Sequence, residues 1–385
     1  MAIVLFDNQY RKKLFPLTAI KAVADLRIGI LTIKEWWEQT TQLPVYIQTE
    51  NYLQPLYATI PNEEHFWVDA SVIADEFLVQ QILNLNSNQA IANEVGLIAG
   101  RATIAVKFKN IQSLAFFNII QQVDHVKRIE WSHQLFQFNE SFIQQHFQLL
   151  IKNKVSQPIS STNQVINPSN IFIEEGATVE YSMLNASTGS IYIGKNAIIM
   201  EGCIVRGPFA MVNNAVLKMG AKIYGATTIG KNSVAGGEIK NAILGDFSNK
   251  AHDGYLGDSV IGVWCNVGAG TSNSNIKNTA SEIKIWNDGS NDYQNAGQKC
   301  GVVMGDYTRV AINSSINTGS NFGVCCNVFG EGLLPTLIPH FSWGTHSASK
   351  YQLEKAIADI GNWKQLKGKI FTTEEIAVLT CLYKK

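Results

Sequence analysis

Charge is scarce in this chain. Asp, Glu, Lys and Arg make up 16% of 385 residues, and the 31 basic and 31 acidic side chains cancel. No basic stripe runs along it, which argues against nucleic acid, and no Lys/Arg cluster suggests an anionic lipid surface. Local cations remain for a single phosphate. No apolar stretch approaches the roughly 18 residues of a membrane span, and the run Ala2–Phe6 is too short for a signal-peptide core. The six cysteines, at 203, 265, 300, 325, 326 and 381, contain no CxxC pair. That spacing predicts neither a zinc site nor a disulfide framework. Reduced thiols packed as small apolar residues in a cytoplasmic protein are expected instead.

What is present is a count of six. Ile193, Ile199, Val205, Met211, Leu217, Ile223 and Ile229 recur at a strict interval, and Ala197, Cys203, Ala215, Ala221 and Thr227 stand two places ahead of most of them. The register returns as Met304, Val310, Ile316, Phe322 and Val328. A hexapeptide period is the signature of a parallel β-helix, in which each repeat buries its apolar residue only by stacking on the next. Asn, Ser, Thr and Gly at the turns of such a solenoid account for the low charge.

The period bounds the domains. Residues 1–155 carry strand candidates at 2–6, 44–47 and 66–68 and helical patterns at 28–39 and 77–85. A hairpin is predicted over 97–108 around Gly100-Arg101, and a mostly helical stretch over 111–150. Alternating elements of this kind predict a layered α/β domain. Residues 154–170 are polar and read as a linker. The β-helix domain is predicted over 156–346. Its register slips after Ile229, and 272–302 interrupts it with an Asp288-Gly289 hairpin signal. In the tail, 347–385, a helix over 350–360 ended by Gly361 is expected. A second helix follows, boxed by Thr372 and Glu375. The tail is expected to cover the open end of the solenoid.

The chemistry-bearing residues crowd the slips. Glu238 and Lys240 lie two apart, on one face of a strand. His252 and Tyr255 follow, then Asn266, the turn Gly268-Ala269-Gly270, and Asn275. Acyl transfer to an amine needs these types. A histidine titrates where it can take the ammonium proton, a carboxylate or amide orients it, cations hold a substrate phosphate, and backbone N–H groups meet the thioester oxyanion.

The runs E-x-K-x-A-x-L-G, K-A-H-x-x-Y-L-G-D and N-x-G-A-G-T, in that order, resemble the acetyltransferase domain of the bacterial bifunctional N-acetylglucosamine-1-phosphate uridylyltransferase and glucosamine-1-phosphate acetyltransferase. The resemblance implies a left-handed β-helix and a homotrimer that binds acetyl-CoA between subunits. It places His252 as general base, and Glu238 and Asn275 as active-site groups that orient the base or the amine. Lys240, Tyr255 and Asn266 fall on sugar-phosphate ligands, with Arg206 near the family's phosphate-binding arginine. Ala269, with Gly270 beside it, falls at a backbone contact to acetyl-CoA. The chain departs from the pattern at Ala251, where the family has glycine before its histidine. It also lacks a clear counterpart for a substrate lysine, for which Lys277, Lys284 and Lys299 are candidates.

The first domain resembles sugar-phosphate nucleotidyltransferases through Lys13-Leu14-Phe15-Pro16-Leu17-Thr18. The glycine-rich phosphate turn is replaced by Asp7-Asn8-Gln9-Tyr10-Arg11. Leu14-x-Pro16-Leu17-Thr18 followed by Asp25-Leu26-Arg27-Ile28-Gly29 is similar to an alternative branch of these fusion proteins. The resemblance implies Arg11, Lys13 and Lys21 at the nucleotide, with Asp69 on Mg²⁺. The substrates implied are a sugar phosphate and a nucleoside triphosphate. Two alternatives stay open: an acyltransferase whose first domain does not react, and a non-catalytic trimeric scaffold that binds sugar nucleotides. A three-histidine zinc centre is unexpected, because His340 and His346 lie past the last repeat.

Overall fold

The computed structural model describes residues 1–104, 113–124, 126–345 and 349–385. The first domain is built on a six-stranded sheet in the order 45–48, 3–6, 65–69, 96–102, 89–93, 119–122. The first three strands are parallel, and Gly96–Ala102 runs antiparallel between His65–Asp69 and Gln89–Asn93. The unbroken apolar run at 3–6 is buried on both sides, as a central parallel strand requires. Ile3 and Leu5 enter one core layer, and Val4 and Phe6 enter the other with Trp67.

Three local expectations for this domain give way. The helix expected over 28–39 begins only at Ile33. Arg27–Ile28 and Leu31–Thr32 form a small antiparallel pair around Gly29, and the helix α1 (Ile33–Thr41) starts at a Thr32/Glu35 capping box. Gly29 is required there by packing, since a Cβ would stand 2.6 Å from the Phe142 backbone. The strand Gly96–Ala102 passes straight through Gly100-Arg101, and its hairpin partner precedes it. Gly100 makes room for the Phe117 ring, 2.4 Å from where a Cβ would lie, rather than turning the chain. Residues 105–108 of that predicted hairpin lie outside the described residues. The stretch 111–150 holds an edge strand, Ile119–Gln122, before its helix. Residues 111, 112 and 125 of it are not among those described. The helix α2 (Glu76–Leu83) follows expectation, capped by Asp75.

The solenoid is a left-handed parallel β-helix with three faces. On the first, strands 191–193, 209–211 and 227–229 stack in register, eighteen residues per coil. On the second, 198–199, 216–217 and 234–235 do the same. On the third, 183–185, 204–206 and 222–223 pair. Each six-residue step thus places one apolar side chain inward, and the rows beginning Ile193, Ile199 and Val205 merge into one core. Cys203, Cys265 and Cys326 belong to that core, and all six thiols are free.

The slip after Ile229 is a shortened corner. Glu238–Leu244 and Tyr255–Ile261 each run as one strand from the third face into the first, so the coil loses residues while its pairing continues. The interruption folds as a hairpin, Lys284–Asn287 with Asp292–Asn295. The run at 302–304 that flanks it is a solenoid strand. The hairpin tip reaches the first domain, where Asn287 Nδ2 donates to the Lys13 carbonyl at 2.6 Å and Gly289 fits against Lys12. The presumed linker belongs to the first coil: Gln164–Ile166 pairs with Met183–Asn185, and Gln157 N–H bonds the Ile173 carbonyl.

The domains share a core. The helix α3 (Gln134–Ile151) lies along the first face, where Ile143 and Phe147 pack with Phe172, Tyr192 and Ala210. Asn139 bridges them, accepting from Gly29 N–H at 2.7 Å and donating to the Ala226 carbonyl at 2.8 Å. The tail helices α4 (Leu353–Leu366) and α5 (Thr373–Tyr383) do not close the end of the solenoid. They pack on its flank against Tyr307, Cys325 and Phe341, together with Ala19, Ile20 and Leu53. Gly361 lies inside α4, with the Phe371 ring 4.0 Å from where a Cβ would stand. The box of Thr372 and Glu375 forms as expected.

Candidate functional site

Two neighbouring surfaces hold the predicted acyl-transfer residues. On the third face, Ile204, Lys222, Glu238 and Tyr255 stand in register on successive coils. Strand alternation puts Arg206 and Lys240 on the same outward side. Among the described residues Glu238 and Lys240 form no ion pair with each other.

Tyr255 is held from several sides. Its N–H donates to Ser272 Oγ at 3.0 Å, and its hydroxyl accepts from Asn275 Nδ2 at 3.1 Å. The ring lies over Gly257, where a Cβ would come within 2.3 Å of the Tyr255 oxygen. Gly257 is fixed by Asn273, which accepts from its N–H and donates to its carbonyl. Burial, reinforced by the Asp258 and Glu238 carboxylates, pushes the Tyr255 phenol up to about 12. It therefore acts as a neutral hydrogen-bonding group near neutral pH.

Asp258 closes the motif that contains His252 and Tyr255, and its role is visible only in the fold. It is buried, in the left-handed backbone region, and accepts from Asn241 at 2.6 Å and from Asn275. The Asn275 amide nitrogen is committed to Asp258 and Tyr255, so its oxygen is the atom left to act as an acceptor.

His252 sits at the corner between the second and third faces, exposed to solvent. It lines a cavity of about 480 Å³ together with Gly237, Ala269, Gly270 and Asn313. Gly237 and Gly270 take positive φ at this corner. Side chains there would strike the His252 carbonyl and Asn313 respectively, so glycine lets successive coils approach. The Gly270 N–H is bound by the Asp253 carbonyl at 3.0 Å.

Lys250, for which the sequence suggests no role, points into the solenoid core in the row that holds Ala235. Its ammonium donates to the His252 carbonyl at 2.5 Å and the Gly236 carbonyl at 3.3 Å. Burial lowers it to about 8, with Asp253 opposing. Asn266 lies elsewhere, on the second face between Asn249 and Arg309, around the corner from Tyr255.

The first-domain candidates are engaged internally. Arg11 is buried, with Nε 3.2 Å from Asp7 and a guanidinium nitrogen on Tyr52 at 2.9 Å and on the Thr18 carbonyl. Lys21 bonds Asp306 of the solenoid at 2.9 Å. Lys13 stands over the Tyr10 and Trp131 rings at 4.8 and 4.7 Å. Asp69 is 1% exposed. Asn8 and Arg128 occupy one of its oxygens, and the Ser71 N–H and hydroxyl occupy the other. A carboxylate has about four lone-pair sites, so this arrangement does not fit a magnesium ion on Asp69. Among the described residues no group of three or more His, Cys, Asp or Glu comes together as a metal site.

Against known families, the first domain gives a direct match. Residues 3–155 fit the sugar nucleotidyl transferase family model. The match ends where the first coil of the solenoid begins. "Bifunctional protein GlmU" of Synechococcus elongatus is 32% identical over 163 residues, covering 41% of this chain and 32% of that protein. The protein of the same name in Stutzerimonas stutzeri is 28% identical over 177 residues, covering 43% and 33%. That of Wigglesworthia glossinidia brevipalpis is 35% identical over 106 residues, 23% of each. The matches span about a third or less of these relatives. A solved Arabidopsis UDP-N-acetylglucosamine acyltransferase aligns over 58% of this chain and 95% of its own. Its identity is 15% and its TM-score 0.26, too low to bear on the fold. No described helix is long and apolar enough to cross a membrane.

Proposed function

We propose that this chain works in nucleotide-sugar synthesis, and that its solenoid moves an acetyl group from acetyl-CoA to the amine of an amino-sugar 1-phosphate. The observation that carries this reading is the cavity that His252 shares with Ala269 and Gly270, beside a face that gathers Arg206, Glu238, Lys240, Tyr255 and Asn275. The cations there suit a phosphate, and the amide oxygen of Asn275 suits an ammonium donor.

In the step itself the amine nitrogen attacks the thioester carbonyl. A C–N bond forms, the C–S bond breaks, and the thiolate of CoA leaves. The His252 imidazole takes the proton the nitrogen sheds and returns it to the thiolate, so charge balances over the cycle. Glu238 and Asn275 orient the amine.

Tyr255 and Asn266 face different sides of the prism, so one sugar phosphate meets both most simply at an interface between copies. Apolar side chains on the outer third face support such a homotrimer: Met183 is 46% exposed and Ile204 is 50%. The first domain is read as the nucleotidyl-transfer half, acting on a nucleoside triphosphate and a sugar 1-phosphate. The engaged state of Asp69 and Arg11 specifically favours the competing reading, in which that half binds without reacting.

CoA release and pyrophosphate release test the two halves separately. Wild-type protein should release CoA with an amino-sugar 1-phosphate, and His252→Ala should lose that activity by a factor of about 10²–10⁴. Unchanged folding is expected because the side chain is exposed. Absence of CoA release across amino-sugar phosphates would refute the acyl-transfer reading. Pyrophosphate release with none of the four nucleoside triphosphates would assign the first domain to binding alone.

A further inference from the structure

The corner between the first and second faces repeats a left-handed backbone position in every coil. Gly176 opens the row at φ of 78°, and Asn196, Asn214 and Asn232 follow, with φ of 55, 58 and 57°. Asparagine is the ordinary choice, because its short side chain tolerates this region. The later coils then use Phe247, Trp264 and Tyr307, at φ of 58, 59 and 62°. Bulky residues are strained there, and such strain persists where the surroundings use the side chain. For Tyr307 the use is evident, since it is buried beneath the tail helices. Phe247 and Trp264 are only half-buried.

These two rings stack face to face, 4.3 Å apart and 3° from parallel. They form part of the wall of a cavity of about 730 Å³ between the first domain, the solenoid corner and the tail. That volume lies within the range of about 300–1,000 Å³ usual for small-molecule sites. Lys369 stands 5.7 Å from the Phe247 ring centre, and Lys364 the same distance from Trp264. Of the four lysines that line the cavity, Lys21 is paired with Asp306 and Lys364 with Glu375. Lys231 and Lys369 are exposed and have no carboxylate partner among the described residues. The remaining acids are Asp25, bonded by the Tyr57 hydroxyl, and Glu374, exposed at the rim.

We infer that this cavity is a nucleotide site, separate from the His252 surface, in which the base packs on Phe247 and Trp264 and the phosphates meet Lys231 and Lys369. Stacking on an aromatic platform is tolerant of base identity, and two unpaired ammonium groups supply point-charge phosphate contacts. A nucleotide here touches all three segments of the chain at once.

Equilibrium dialysis of the full chain with ATP, CTP, GTP and UTP, without divalent metal, tests the site. Inorganic triphosphate and the free nucleosides form separate arms. Phe247→Asn is the decisive variant, because the three preceding corners already use asparagine. It should keep or raise the melting temperature while weakening nucleotide binding at least tenfold. Lys369→Gln, on an exposed side chain, should weaken binding severalfold and flatten its salt dependence. A nucleotide held only by the first domain would bind Phe247→Asn and wild type alike, and that result overturns the inference. So does failure of all four nucleotides to bind, or inorganic triphosphate binding as tightly as the nucleotides.

Discussion

Lys250→Met removes an ammonium buried in the solenoid prism, and its effect can be worked out in sign and size. The side chain is 1% exposed, in a row otherwise filled by Leu217, Ala235 and Val267. Burial lowers its pKa from 10.5 to about 8. Above pH 10.5 the lysine is neutral in both states and costs the fold nothing electrostatically. As pH falls from 10.5 to 8 the unfolded chain takes up a proton that the folded chain refuses, so stability drops. Below 8 the full penalty applies, roughly 3 kcal/mol for a shift of this size.

Methionine has no such dependence. The unfolding free energy of Lys250→Met minus that of wild type should therefore fall by about 2 kcal/mol between pH 7.5 and 10. Other titrating groups cancel in that difference. Urea denaturation at matched pH values measures it. A difference that stays flat across this range would refute the reasoning. The substitution also frees the His252 carbonyl from its ammonium donor, so CoA release should fall even where the fold is as stable as wild type.

Gly257→Ala places a methyl carbon 2.3 Å from the Tyr255 oxygen. Tyr255 must swing away, and kcat/KM for the amino-sugar phosphate should drop on the order of 10²-fold, with KM for acetyl-CoA unchanged. Arg128→Met leaves the Asp69 carboxylate buried without its ion partner. Loss of about 3–5 kcal/mol in denaturant unfolding is expected, and a loss below 1 kcal/mol would show that Asn8 and Ser71 suffice.

Much of the architecture can be read before folding. The six-residue count names the β-helix because each face needs one inward side chain, and Ile193 to Ile229 all arrive where it says. The doubly buried strand at 3–6 is legible because a central strand has no polar side. Thr372 and Glu375 are legible because a capping box is local chemistry. Failures cluster where a residue serves something distant in sequence. Gly29 and Gly100 read as helix interior and turn, yet each is needed for an approach by Phe142 or Phe117. Gly361 reads as a stop, but helix α4 continues past it because packing outweighs about 1 kcal/mol of propensity.

The candidate site divides the same way. The order of Glu238, Lys240, His252, Tyr255 and Asn275 along the chain pointed to neighbouring coils, since a solenoid converts sequence order into stacking order. The partners that set their states come from other coils. Asp258 anchors Asn275, Asn273 fixes Gly257, and Lys250 turns inward to hold the His252 carbonyl. None of these is visible in a linear pattern.

By itself, the sequence determined the period of the solenoid, the layered sheet domain and the neighbourhood of His252, all of which follow from local spacing and burial. Only the tertiary structure decided that Asp69 and Arg11 are already engaged inside the first domain, that the tail lies along the flank, and that Phe247 and Trp264 face a cavity. Each depends on which groups separate parts of the chain bring within a few ångströms, and that is settled when the first domain docks on the solenoid.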